Sequence, residues 1–454
     1  MATIRFTLRR GVLLLLLGLV SLASPAVGQD ETVVLRTSRL LVGTGEVLED
    51  RDIVVREGRI VSVVPAGDGQ GDRIEDLRHL TVLPGLIDTH VHVGWHFDDE
   101  GRLARGSDLD VRVLHAAENA YAMLQAGVTT VQSLGGIEDR ALRDALARGV
   151  LPGPRILTSL GSLSERTGGP AQMRAAVRDF VERGADVIKI FGSESIRTGG
   201  APTLTQAQLD AACGEAAALG LRAVVHAHGN ESARRASLAG CTTIEHGALL
   251  DRATLEFLAE QGTFYDPNIH LIFQNYFDNQ ERYLGIGGYT EEGFEQMRAA
   301  VPRALEAFRT ALSVPGLQTV FGTDAVAGAH GRNTEELIYR VREGGQSALD
   351  ALTSATALAA ESLGLGEEIG RIEPGWAADI IAVDGDPGEA IEAIREVRFV
   401  MRTGRVVRRP RDRRWRTNSN ARSHMPRTLL ACATRAGADC EHHPRCGHPS
   451  RRPE

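Results

Sequence analysis

Between residues 83 and 362 the sequence repeats one rhythm: a short apolar, β-branched run, a longer stretch with helical spacing, then a turn. The runs end near His92, Ser133, Ser159, Phe191, His228, His246, Pro267 and Asp324. Helical patterns at 108–125, 205–219 and 232–238 fall between them, and Gly127, Gly220 and Gly240 stand where left-handed helix C-caps belong. Apolar runs bounded by turns read as strands buried on both faces, and such strands alternating with helices pair in parallel. Eight units over about 250 residues predict an α/β fold of the (β/α)8 TIM-type barrel class. A doubly wound sheet competes, but no glycine-rich phosphate turn follows the first strand.

The flanks have a different texture. "TVVLRTSRLLVGTGEVLEDRDIVVREGRIVSVVPAG" alternates apolar and polar residues and is cut by Gly and acidic turns; "IGRIEPGWAADIIAVDGD" and "VRFVMRTGRVV" do the same near the other end. Strand edges left unpaired are a liability, so two such patches predict one small β-sandwich domain built from residues 29–82 and 363–410. Residues 1–28 carry Arg5, Arg9 and Arg10, then an apolar run from Val12 to about Ala23, then small residues. That is the layout of a secretory signal, too short for a comfortable membrane span. A periplasmic or secreted protein is expected, with no membrane attachment after cleavage. Removing three Arg and no acid would take the net charge from -8 to -11, which argues against a nucleic-acid partner.

The tail, 411–454, lacks apolar periodicity and reads as disordered. Its Cys432, Cys440 and Cys446 could supply one disulfide, whereas Cys213 and Cys241 read as small core residues.

Of 51 basic residues, one is a lysine, Lys189, inside the apolar run "DVIKIF". Arg and Lys can replace each other where only a solvated charge is needed, but not where the amine must lose its proton. Lys189 is thus either a Schiff-base lysine or one that captures CO2 as a carbamate. The other strand ends decide between them. His90 and His92 close the first strand, His226 and His228 the fifth, His246 the sixth and Asp324 the eighth. Residues two apart share a strand face, and the active site of such a barrel lies at these ends. Five of the chain's 14 His, with an Asp and the sole Lys, at corresponding positions form a metal-ligand set rather than separate packed histidines. Schiff-base chemistry needs no such set. Within "HAHG" either histidine can be the ligand.

"PGLIDTHVH", "VIKI", "VVHAHG", "IEHG", "FGTDA", "HGRNTEEL" and "IGRIEPGWAADIIAVDGDP" occur in order from about residue 31 to 408. The ordered set resembles the amidohydrolase superfamily, in its imidazolonepropionase-like and metal-dependent dipeptidase-like branch. The resemblance implies two divalent ions, zinc first among the candidates. His90, His92 and Asp324 would hold one, His226 and His246 the other, with Lys189 as a CO2-derived carbamate bridging both. His226 is the ligand it favours, leaving His228 to face the substrate. Two such ions lower the pKa of a bridging water, and Asp324 can carry its proton to the leaving amine.

The implied reaction is hydrolysis of an amide bond in a small substrate, a dipeptide or N-acyl amino acid with a free carboxylate. Cyclic amide hydrolysis is the alternative, and a non-catalytic binding barrel a more distant one. Substrate contacts are expected from His228, Tyr265 and His330, and the wider loop set is His96, Arg166, Arg197, Asn268, His270 and Arg332. A homo-oligomer is consistent with the resemblance.

Overall fold

The computed structural model describes residues 31–104 and 106–410. The signal segment 1–28 and the tail 411–454, with Cys432, Cys440 and Cys446, lie outside the described residues. The chain divides into a compact unit ending at Arg409 and a second unit from Pro410 onward; the strands, helices and cavity all belong to the first. Among the described residues no helix is long and apolar enough to cross a membrane.

The chain enters through β1 (Val33–Leu41), β2 (Val47–Arg56), β3 (Arg59–Pro65), β4 (Arg73–Asp76) and β5 (Thr81–Pro84). A two-residue turn, Glu57–Gly58, joins β2 to β3 with both φ angles positive, the turn whose twist suits a hairpin. The parallel strands come next: β6 (Leu86–Val91), β7 (Val128–Ser133), β8 (Arg155–Thr158), β9 (Val187–Phe191), β10 (Arg222–Ala227), β11 (Thr243–His246) and β12 (Phe264–Asp266). Every residue of β6, β7 and β11 is buried, as strands covered on both faces should be. Helices fall where the spacing put them, at Leu109–Gln125, Gln206–Ala218 and Asn230–Leu238. The second of these begins in a capping box between Thr205 and Gln208.

The parallel strands form two arcs, β6-β7-β8 and β12-β11-β10-β9, rather than one unbroken ladder of eight. The eighth run, 319–325, is extended and lies between β12 and β6. It makes single parallel bridges from Thr319 to Tyr265 and from Ala325 to Val91. It does not form a regular ladder, in part because the buried Asp88 carboxylate takes the Thr323 N–H at 3.1 Å and the Thr323 hydroxyl.

The chain ends in β13 (Ile380–Val383), β14 (Val397–Arg402) and β15 (Arg405–Arg408). β13 pairs antiparallel with β5, so both ends of the chain build one sheet, in the order β15-β14-β13-β5-β1-β2-β3 with β4 beside β1. The alternation predicted a sandwich; hydrogen bonding joins these eight strands into a single sheet. Leu35, Ile53, Val82, Ile380 and Phe399 pack on its buried side.

Cys213 and Cys241 need correcting. They are buried, but they form a disulfide, because helix Gln206–Ala218 packs where the chain enters β11 and brings the two Cα atoms to 5.2 Å.

Candidate metal centre

Two residues apart at the end of β6, His90 and His92 turn to the same side. Asp324 comes to meet them from the eighth run, its Oδ1 lying 3.0 Å from His92 Nε2 and 3.4 Å from His90 Nε2. Lys189 on β9 places Nζ 3.5 Å from His90 Nε2, with only 1% of the residue exposed. The His246 ring lies 5.2 Å from that of His90 and 4.6 Å from that of His226. His228 lies 4.6 Å from His226 and 5.0 Å from His246. All seven residues line one cavity of about 200 Å³. It has room for several waters or for a small molecule.

The donor chemistry fits metal ions. Ligand atoms of His90, His246 and Asp324 all lie within 4.8 Å of one another. Burial lowers Lys189 and pushes His90, His226 and His246 well below the usual imidazole range, so these three imidazoles present neutral ligand nitrogens. Uncharged nitrogens crowded around one carboxylate leave a space that suits a cation. Burial alone would raise Asp324; His90, His92 and Lys189 outweigh it and hold the carboxyl below its ordinary range. Two residues here take left-handed backbone angles unusual for their types, His246 with φ 70° and Asp324 with φ 51°. Strain of that kind persists where surrounding structure fixes it, often at functional sites.

A carboxyl layer supports the cluster from behind. Glu245 Oε2 approaches His90 Nδ1 at 2.8 Å, close but not aligned as a hydrogen bond. Burial pushes Glu245 up to about 7 and raises Asp266 well above the usual carboxyl range. Asp266 accepts hydrogen bonds from the Thr89 hydroxyl and the Asn268 amide, both at 3.0 Å. No chain signal marked Glu245 beyond its place before His246, or Asp266 beyond its place at a strand end.

Tyr265 and His330 do not line the cavity. Tyr265 alternates with the inward Asp266 along β12, so its ring packs outward against the helices and its hydroxyl donates to the His246 carbonyl at 3.3 Å. His330 sits with Nε2 3.1 Å from the His92 carbonyl oxygen. Each contacts the backbone of one of the clustered histidines. His228 does line the cavity; burial, with Arg197 and Lys189 nearby, lowers it to about 3, and its Nδ1 has no hydrogen-bond partner.

Of the remaining loop residues, Arg197 alone reaches the cavity. His96 stacks on His115, His270 stacks on Tyr339, and Arg332 pairs with Glu335 and Asp278. Arg166 lies in the short turn Glu165–Thr167. The apolar walls went unread in the sequence: Trp95, Phe273, Tyr276, Tyr289 and Met297. Four of these belong to the insertion between β12 and the eighth run, where aromatic residues without a repeat partner were the available signal.

A family model described as the amidohydrolase family matches residues 81–407, which span both arcs and every residue of the cluster. This chain belongs to that family. The amidohydrolase is 25% identical over 434 residues to the ochratoxinase of Aspergillus niger, covering 84% of this chain and 88% of that one. It is 24% identical over 394 residues to the imidazolonepropionase of Sphingopyxis alaskensis, covering 76% and 90%. Among solved structures it is similar to a Xaa-Pro dipeptidase with methionine bound in its active site. There the identity is 31% and the TM-score 0.76, over 83% of this chain and all of the other. Members of the family typically bind divalent metals, and the clustered His and Asp groups could hold them.

Proposed function

We propose that this amidohydrolase is a metal-dependent hydrolase that cleaves an amide bond in a small substrate, a dipeptide or N-acyl amino acid with a free carboxylate. The observation that carries the reading is the convergence of five histidines, Lys189 and Asp324 on the floor of one small cavity. The similar dipeptidase, which binds methionine, supports the choice of substrate.

In this reading His90, His92 and Asp324 would hold one ion and His226 and His246 a second, and Lys189, as a carbamate, would supply a further carboxylate ligand. The bound ions supply Lewis acidity for the amide carbonyl and acidify water at neutral pH. The remaining work falls to the protein. Asp324, kept deprotonated by its imidazole neighbours, accepts a proton from water and returns it to the leaving nitrogen. His228, uncharged and unpartnered at Nδ1, offers a hydrogen bond to the substrate. Glu245 keeps the His90 ring oriented. Periplasmic or secreted placement belongs to the same proposal. It is supported by the leader-like residues 1–28 and by the Cys213–Cys241 disulfide, which suits an oxidising compartment.

The test is hydrolysis of dipeptides and N-acyl amino acids, beside cyclic amides, before and after chelation. Chelation should abolish the activity and zinc or manganese restore it, and Asp324→Asn should lower kcat at least about 100-fold. Cleavage of the cyclic set alone would move the reading to cyclic amides. Hydrolysis that survives both chelation and Asp324→Asn would refute the metal mechanism.

A further inference from the structure

Arg197 is the one cationic side chain on the cavity wall outside the ligand cluster. Several other arginines meet acids: Arg36 pairs with Asp52, Arg143 with Asp186 and Arg332 with Glu335. Among the described residues no carboxylate forms an ion pair with Arg197, and its Nε has no hydrogen-bond partner. Its Cζ lies 4.2 Å above the centre of the Tyr289 ring, an electron-rich face that stabilises the cation, and the Tyr276 side chain hydrogen-bonds the guanidinium; neither brings an anion to the fork of donors. The Tyr289 hydroxyl in turn bonds that of Tyr276 at 2.9 Å, which fixes the ring beneath.

The mount is firm. Arg197 lies in the turn Ile196–Thr198, whose leading Ser195 hydroxyl accepts the Arg197 N–H at 3.3 Å and whose closing Gly199 has φ 99°. The apolar side chains Ile272, Phe273, Met297 and Val326 line the same cavity.

We propose that Arg197 binds the carboxylate of the substrate and that the apolar lining of the same cavity receives an apolar side chain, so that the leaving half of the scissile amide is an apolar α-amino acid. The proposal rests on the amide-hydrolase reading of the same site. It follows from the need of a half-buried guanidinium for an anionic partner; the fork matches carboxylate and phosphate alike, and the amide-hydrolase reading selects the carboxylate. One anion beside one apolar group, with the amide nitrogen between them, is the chemistry of an N-acylated amino acid such as N-acetyl-methionine. The reacting carbonyl then lies toward the histidine floor.

The metal-loaded protein should be compared with Arg197→Met and Arg197→Lys on N-acetyl-methionine and on N-acetyl-methioninol, its uncharged alcohol counterpart. The wild type should favour the acid in kcat/KM by roughly 10- to 100-fold, as a charge-assisted pair requires. Arg197→Met should bring that ratio close to one through a loss on the acid, with metal content unchanged, and Arg197→Lys should keep part of the preference. Calorimetric binding of methionine and methioninol to the same three proteins separates the two claims. Methionine binding that depends on Arg197 without turnover of either amide would sink the hydrolase reading and uphold the carboxylate site. A preference for the acid, in turnover or binding, that survives Arg197→Met would overturn the proposal whatever the protein hydrolyses.

Discussion

A lysine amine buried among imidazoles can lose its proton, and a guanidinium in the same place cannot. Lys189 Nζ is 3.5 Å from His90 Nε2 on a buried residue that lines the cavity. Lys189→Arg should therefore abolish metal loading and activity, whereas Lys189→Ala should recover part of both with short-chain carboxylic acids. Full metal content in Lys189→Arg, measured by elemental analysis, would end the carbamate proposal. Glu245→Gln keeps the size of the side chain beside His90 and removes its charge, and should weaken metal binding about 10- to 100-fold in a chelator competition. An unchanged affinity would show that Glu245 is packing alone. The floor of the site was readable one residue at a time, since a sole lysine and paired histidines at strand ends are rare types in constrained places. Tyr265 was misplaced for a reason of the same scale: a strand end shows which residue comes last, but one step along the strand reverses the face.

At the scale of elements, strand ends and helix spans were legible because buried parallel strands are short apolar runs and helices carry their own caps. The breaks between ladders were not. They depend on side chains such as Asp88 competing for the N–H of a residue 235 positions away. The Cys213–Cys241 bond was equally hidden, since connectivity depends on how a helix packs against a strand entry. With the cysteines 28 positions apart, replacing both by Ala should cost about 3 kcal/mol in denaturant unfolding. A reductant should lower the wild-type stability by a similar amount. A wild-type midpoint that ignores reductant would show that the pair is not bonded.

For the molecule as a whole, the sequence made clear that both chain ends share one β assembly, because two half-sheets with alternating patterns each leave an edge to pair. It did not show that they join as a single sheet through β5 and β13. Nor did it show that the insertion between β12 and the eighth run walls the cavity; an aromatic cluster off the repeat has no register to place it. The cavity thus divides into a floor written in the strands and walls written by tertiary packing. Chemistry belongs to the floor and selectivity to the walls. The chemistry proposed for the site turns on the floor being a two-ion centre joined through Lys189, and native mass spectrometry of the purified protein tests that in one spectrum. Such a centre should give about two divalent ions per chain and, with them, a mass excess of roughly 44 Da for one CO2. A protein that carries no metal, even after reconstitution with zinc or manganese, would contradict it.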